Sequence, residues 1–139
     1  MAGAIVFTPK GNNRRAFFKL KPGSMKGDDF ILFLKDLKKE IKRKKLLLIW
    51  DGLPAHRSKI VKDYIASQKK WLRVERYPSY APELSPVEFL WSPMKTKDLA
   101  HLPPRGLSNL IRMARKSFRR IKKDKRLLKG CLRKAGVLN

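Results

Sequence analysis

Apolar positions recur along this chain with two periods, and the switches between them mark its elements. Ala4-Ile-Val-Phe7 and Ala16-Phe-Phe-Lys-Leu20 flank Pro9-Lys-Gly-Asn-Asn13. Two short apolar runs about a Gly/Asn turn predict a β-hairpin, ended by Pro22-Gly23. Phe30, Phe33, Leu34, Leu37 and Ile41 then fall at helical spacing, with Lys35, Lys38, Lys39 and Lys42 elsewhere on the surface. Asp28 and Asp29 precede that stripe, where negative charge suits a helix N-terminus. Leu46-Leu-Leu-Ile-Trp50 is continuous and of strand length, the pattern of a strand covered on both faces. Asp51-Gly52-Leu53-Pro54 ends it.

A second helix is expected from about Ser58, with Ile60, Val61, Tyr64 and Ile65 on its buried side. Leu72 to Tyr77 reads as a strand. Pro78, Pro82 and Pro86 make the next stretch a loop, and Ser85-Pro86 announces a helix with its cap at Ser85 and proline at the first helical position. Its apolar face is Val87, Leu90, Trp91 and Met94. In the last third Leu107, Leu110, Ile111, Ala114, Phe118 and Ile121 form one stripe. Arg112, Arg115, Lys116, Arg119 and Lys123 form another with helical offsets. A closing helix is expected around Leu127, Leu128, Cys131 and Leu132. There is no internal repeat. The order β-β-α-β-α-β-α-α predicts an α/β fold with carboxylates at strand and helix ends.

Composition sharpens this picture. At 139 residues the chain suits one domain, and an apolar content of 42% is enough for a core. Thirty-five Lys and Arg against 11 Asp and Glu give a net charge of +24, more than solubility requires, so a polyanionic partner is expected. Nucleic acid comes first. An anionic membrane surface is the competitor, but no segment approaches the ~20 apolar residues that span a bilayer. The start is too short and uncharged for a signal peptide. Cys131 is the only cysteine, which excludes an internal disulfide or a cysteine-rich zinc site. An intracellular, cytoplasmic or nucleoid-associated protein is the expectation.

Among so few acids, Asp51 and Glu88 stand out. Asp51 lies just past the carboxyl end of a strand, where open α/β sheets present functional groups. A carboxylate there suits a divalent cation such as Mg²⁺; the alternative is a simple Asp-Gly turn. Ser85-Pro-Val-Glu88 also reads as a capping box in which Glu88 returns to the Ser85 N–H. The two roles compete for one carboxylate. Glu88, Ser92 and Lys95 share a helix face, and Lys95 is placed to meet a DNA phosphate. His56 sits five residues after Asp51, able to orient it; His101 is a weaker signal. Met25, Met94 and Met113 read as packing residues, and Lys42-Arg-Lys-Lys45 as a solvated turn with nucleic-acid contact second. No acid interrupts the chain between Leu99 and Ile121. The stripe of Arg112, Arg115, Lys116, Arg119 and Lys123 is therefore expected to track a phosphate backbone. Neutralising six to ten phosphates would cost roughly 10³ to 10⁵ in affinity between 50 and 200 mM salt.

Leu47-Leu-Ile-Trp-Asp51, His56, and Tyr77-Pro-Ser-Tyr-Ala-Pro-Glu-Leu-Ser-Pro-Val-Glu88-Phe-Leu-Trp91 with Lys95 resemble the DDE transposase domain of the IS630/Tc1-mariner superfamily. Its string P-x-Y-[SA]-P-x-L-[NS]-P-[IV]-E-x-x-W-x-x-x-K is nearly complete here, and the Asp51–Glu88 spacing is close to the family's. The resemblance spans most of residues 3 to 100. It implies an RNase H-like mixed sheet flanked by helices, in which three acids converge on two Mg²⁺ or Mn²⁺ ions. Asp51 resembles the second acid and Glu88 the third. The implied chemistry is DNA strand cleavage and transfer at transposon ends.

The family's first acid ends a strand upstream of the hairpin. Before Asp51 the chain offers only Asp28, Asp29, Asp36 and Glu40, all at or within the first predicted helix. The resemblance therefore implies the C-terminal part of a catalytic domain lacking its first strand (residues 1–100), followed by a basic helical extension (101–139). Such a chain is expected to be inactive alone. Its metal site would be completed only by another polypeptide, such as an upstream-frame transposase product; a homodimer is the other partner considered. The alternative is a non-catalytic DNA-binding protein retaining the basic surface.

Overall fold

The computed structural model describes residues 1–42, 44–93 and 106–138. In chain order its elements are β1 (Ala2–Val6), β2 (Arg15–Lys19), α1 (Gly27–Ile41), β3 (Leu46–Trp50), α2 (Lys59–Ser67), β4 (Leu72–Arg76), α3 (Glu88–Pro93), α4 (Gly106–Lys123) and α5 (Lys125–Lys134). Single turns of 3₁₀ helix occupy Pro54–Arg57 and Pro82–Leu84. The chain divides into two units, one of Met1–Ala2 with Gly23–Ala81 and one of Gly3–Pro22 with Pro82–Asn139.

In the first unit the stripe foreseen on α1 is the core. Phe30, Phe33, Leu34, Leu37 and Ile41 are all buried, each worth about 1.5–3 kcal/mol relative to exposure. Asp29, buried in the first turn, accepts the Lys26 N–H at 2.8 Å and so satisfies an N-terminal donor with its own carboxylate. All four acids before Asp51 lie in α1. β3 and β4 pair in parallel, from Leu46 opposite Leu72 to Trp50 opposite Arg76, with α2 in the crossover. A nine-residue helix is marginal by itself. The fully buried Val61 anchors α2, and α2 packs against α1.

Two expectations about this unit are corrected. β3 is not covered on both faces, because Leu47 and Ile49 are 56% and 46% exposed. Among the described residues β3 pairs on one edge only, with β4, and only the face of Leu46, Leu48 and Trp50 is partly covered. Ile60 also leaves the buried side of α2, at 51% exposure. Its tip instead lies against the amino end of α1, 3.1 Å from where a Cβ on Gly27 would stand.

The second unit holds β1 from Gly3 onward, β2 and the three C-terminal helices. Pairing is thus divided between two two-stranded sheets among the described residues, where one mixed sheet was expected. Leu90 of α3, Ile121 of α4, and Leu128 and Cys131 of α5 close a core over Ala16 of β2. Beside it Phe18 stacks on Phe118 with centroids 4.2 Å apart and meets Trp91 at a tilt. Gly3 is required where β1 passes Trp91, since a Cβ there would stand 2.7 Å from the indole. Lys125 Nζ donates to the Arg14 carbonyl at 2.6 Å, a second tie between α5 and the hairpin. On α4, Ala114, Phe118 and Ile121 are buried as expected, but Leu110 is 43% exposed while Ser117 is buried.

Candidate active site

Asp51 is the first residue beyond β3, and its backbone and side chain are both engaged locally. Oδ1 accepts the Leu53 N–H at 3.2 Å, the turn that Asp before Gly commonly makes. The same oxygen lies 2.9 Å from His56 Nδ1, and that nitrogen is 3.1 Å from the Asp51 carbonyl. Nδ1–H is therefore the donor that suits this position, with the proton placed by the hydrogen-bond pattern. The ring is 8% exposed and the Asp51 side chain 54%. One carboxylate oxygen is held from the protein side while Oδ2 has no partner among the described residues.

What holds His56 is aromatic. Its ring lies parallel to Trp50 with centroids 4.0 Å apart and meets Phe30 edge-on at 4.3 Å. The 3₁₀ turn at Pro54–Arg57 brings it back over the strand end, with its N–H donated to the Leu53 carbonyl. Neither Trp50 nor Phe30 was singled out as part of the site. The signal was present in Trp-Asp followed by a histidine five residues on, but the stacking depends on the turn between them.

The ladder continues past β4: the Tyr77 N–H donates to the Trp50 carbonyl at 2.9 Å. This pins the start of the proline-rich loop to the residue before Asp51. Burial pushes the Tyr77 hydroxyl up from its ordinary value of 10.0. Tyr80, three residues on, is fully exposed and adopts φ +59°.

Glu88 belongs to the second unit, as the first residue of α3. The capping box expected there is not formed. The Ser85 N–H donates to the Pro82 carbonyl at 3.0 Å within the second 3₁₀ turn, and the Ser85 carbonyl accepts the Glu88 N–H at 3.1 Å. The helix starts two residues later than Pro86 suggested, because Pro86 and Val87 form a turn that buries the proline. The Glu88 carboxylate is thus released from the competing role. It is exposed and has no partner among the described residues. The backbone beneath it is fixed by Leu90, which is fully buried, and by Phe89 and Trp91 in the two adjoining clusters.

The basic stripe is where the spacing put it. Arg112, Arg115, Lys116, Arg119 and Lys123 are all exposed on α4, opposite the buried Ala114, Phe118 and Ile121. Arg112 donates to Asn109 at 2.9 Å; no carboxylate among the described residues pairs with the other four. Lys95, His101 and Met94 lie outside the described residues.

The free oxygen of Asp51 and the exposed Glu88 are hard donors of the kind Mg²⁺ and Mn²⁺ take. Among the described residues no three His, Cys, Asp or Glu side chains converge into a metal-holding group.

The model of the DDE superfamily endonuclease family matches residues 5–111. The chain belongs to that family. Its fold is RNase H-like, that of the mariner transposase catalytic domain. The Mos1 mariner catalytic domain aligns with a TM-score of 0.66 at 16% identity, over 96% of this chain and 74% of that one. Mos1 catalytic-domain structures containing raltegravir with Mn or with Mg give TM-scores of 0.66 and 0.67, at 15% and 14% identity, over 96% of this chain and 74% and 75% of those. Identities this low establish the fold only. No match was found among curated proteins. Among the described residues no helix is long and apolar enough to cross a membrane.

Proposed function

We propose that this chain is the C-terminal part of an IS630/Tc1-mariner-type transposase catalytic domain, with Asp51 and Glu88 as two of its three metal-binding carboxylates. Residues 1–100 would be the partial catalytic domain and 101–139 a basic helical extension. The observation that carries the reading is Asp51 at the carboxyl end of β3, with Oδ1 held by Leu53 N–H and His56 and Oδ2 without a partner among the described residues. When bound, a pair of Mg²⁺ or Mn²⁺ ions would supply activation of the attacking oxygen and stabilisation of the leaving one.

The chain's own residues prepare for that chemistry. His56 fixes the rotamer of Asp51, the role taken by groups that orient metal ligands from behind. Glu88, free of any capping bond, is available as a ligand. Arg112, Arg115, Lys116, Arg119 and Lys123, together with Lys95, hold DNA through its phosphates. The third carboxylate comes from outside this chain, since Asp28, Asp29, Asp36 and Glu40 are committed to α1. Among the described residues β3 pairs only with β4, and its other edge could take a further strand.

The test is nicking of a supercoiled plasmid carrying the DNA that flanks this coding sequence, with Mg²⁺ or Mn²⁺. The chain alone is expected to bind and not to nick; adding the polypeptide encoded upstream is expected to restore nicking that Asp51→Asn abolishes. Nicking by the purified chain alone would defeat the claim of an incomplete site. Binding that no partner converts to nicking would favour the non-catalytic DNA-binding alternative.

A further inference from the structure

At the end of the β3–β4 pair opposite to Asp51 lies a cleft of about 630 Å³ lined by Lys38, Lys39, Lys42, Lys44 and Trp71. Lys38, Lys39 and Lys42 come from the last turn of α1 and its cap, Lys44 from the approach to β3, and Trp71 from the residue before β4. Six residues separate Lys44 from Asp51, five of them the strand β3, roughly 20 Å at 3.3 Å per residue, so the cleft is a separate feature from the carboxylate site.

Basic residues at a helix C-terminus complement its dipole, and that accounts for Lys38 and Lys39. It does not account for Lys44, which arrives on another segment, or for the order imposed on the ring. Gln68 Oε1 accepts from Trp71 Nε1 at 2.7 Å and from Lys38 Nζ at 3.3 Å, and Lys38 Nζ stands 5.5 Å from the indole centroid. One side chain thus positions both the aromatic wall and a cation. Four lysines from two segments gathered about one cleft raise its positive charge, which an anion bound there would offset. Lysine ammoniums serve phosphate as point charges, and an indole face beside them accepts a sugar or a base.

We propose that this cleft binds the phosphodiester backbone of DNA at a place distinct from the cleavage site, with Trp71 packed against the sugar or base. The inference rests on the reading of this chain as a DNA-binding protein. It adds a second DNA contact, so that a duplex reaching past the scissile phosphate, or a second duplex, is held on the first unit.

The experiment measures duplex affinity of the full chain from 50 to 200 mM salt, for wild type, for K38Q/K39Q/K42Q/K44Q, and for the charge-matched control K10Q/K26Q/K59Q/K62Q. Each phosphate contact contributes about 0.9 to the slope of log K against log salt. Loss of two contacts is expected to flatten the slope by about 1.8, which is roughly a twelvefold difference across that salt range. The control is expected to change the slope by less than half as much. DNA is also expected to quench tryptophan emission in wild type, with the quenched component missing in Trp71→Phe. Circular dichroism checks that each variant remains folded.

A cleft variant that matches wild type, or a control that weakens binding equally, overturns the cleft while leaving the DNA reading intact. Failure of wild type to bind duplex at any salt overturns both. Quenching of Trp71 by inorganic tripolyphosphate with no effect of the cleft substitutions on DNA would make this a small-anion site and overturn the proposal.

Discussion

Asp51 and Glu88 are both exposed carboxylates at the end of a secondary-structure element, and they are held in opposite ways. Asp51 is fixed through its side chain: Leu53 N–H and His56 hold one oxygen, and Trp50 and Phe30 hold His56. Glu88 is fixed through its backbone alone, by a helix whose next residues are pinned in a core. A side-chain clamp keeps one oxygen aimed while costing little stability to remove. Core packing places a Cα and leaves the carboxylate its rotamers. The difference predicts that local geometry and global stability separate cleanly between the two residues.

The largest effect that would sharpen this contrast is Leu90→Ala. Removing a fully buried leucine from the cluster beneath Glu88 is expected to cost about 2–5 kcal/mol, read as a lower midpoint in urea unfolding with an unchanged slope. If the midpoint did not move, packing would not be what positions Glu88. Next, Arg115, Lys116 and Arg119 replaced together by Gln should flatten the salt slope of DNA binding by about 2.7, roughly fortyfold between 50 and 200 mM. An unchanged slope would reduce the stripe to a solvated helix face.

His56→Ala comes third. It should weaken Mn²⁺ affinity at Asp51 by about tenfold or more, the usual cost of losing a group that orients a ligand, measured by electron paramagnetic resonance in the completed complex. His56→Asn, which keeps a donor, should recover part of the loss; a fall in thermal stability with unchanged metal affinity would make the histidine structural. The smallest effect is Glu88→Gln, expected to shift stability by no more than about 0.5 kcal/mol, because no cap depends on the charge. A loss above 1 kcal/mol would reinstate the capping box. At Cys131 burial raises the thiol pKa from its ordinary 9.0, against a lowering by Lys134. Below that value the thiol is neutral in both states. Above it the unfolded chain ionises first, so stability is expected to fall as pH rises from about 9, checked by urea midpoints against a Cys131→Ala control.

Much of this was legible along the chain, for reasons that differ by element. The α1 stripe was reliable because five apolar residues at helical spacing have one way to be buried together. The α4 stripes were reliable on the polar side, where five cations without an interleaved acid had to face away from Phe118 and Ile121. Periodicity failed at Leu110 and Ile60, each near the start of its helix: Leu110 is exposed, and Ile60 turns its tip to the amino end of α1 while half of it stays exposed. It failed also for β3. A continuous apolar run does not tell which face of a strand its tertiary neighbours cover, and here Leu47 and Ile49 stay exposed. The capping box at Ser85 was lost to a competing turn, since the Pro82 carbonyl reached the Ser85 N–H first.

By itself the sequence determined the family, because the loop-and-helix string from Tyr77 to Trp91 combines prolines, an acid and a tryptophan at offsets that no generic turn requires. It determined the charge, and with it the expectation of a polyanionic partner. Only the tertiary structure decided how the two carboxylates are held. Hydrogen bonds of about 3 Å depend on turns that bring residues two to five apart face to face, and spacing alone does not specify whether His56 meets Asp51 or Glu88 meets Ser85. Nor did the sequence reveal the lysine cleft, since Lys44 and Trp71 meet α1 only once β3 and β4 lie side by side.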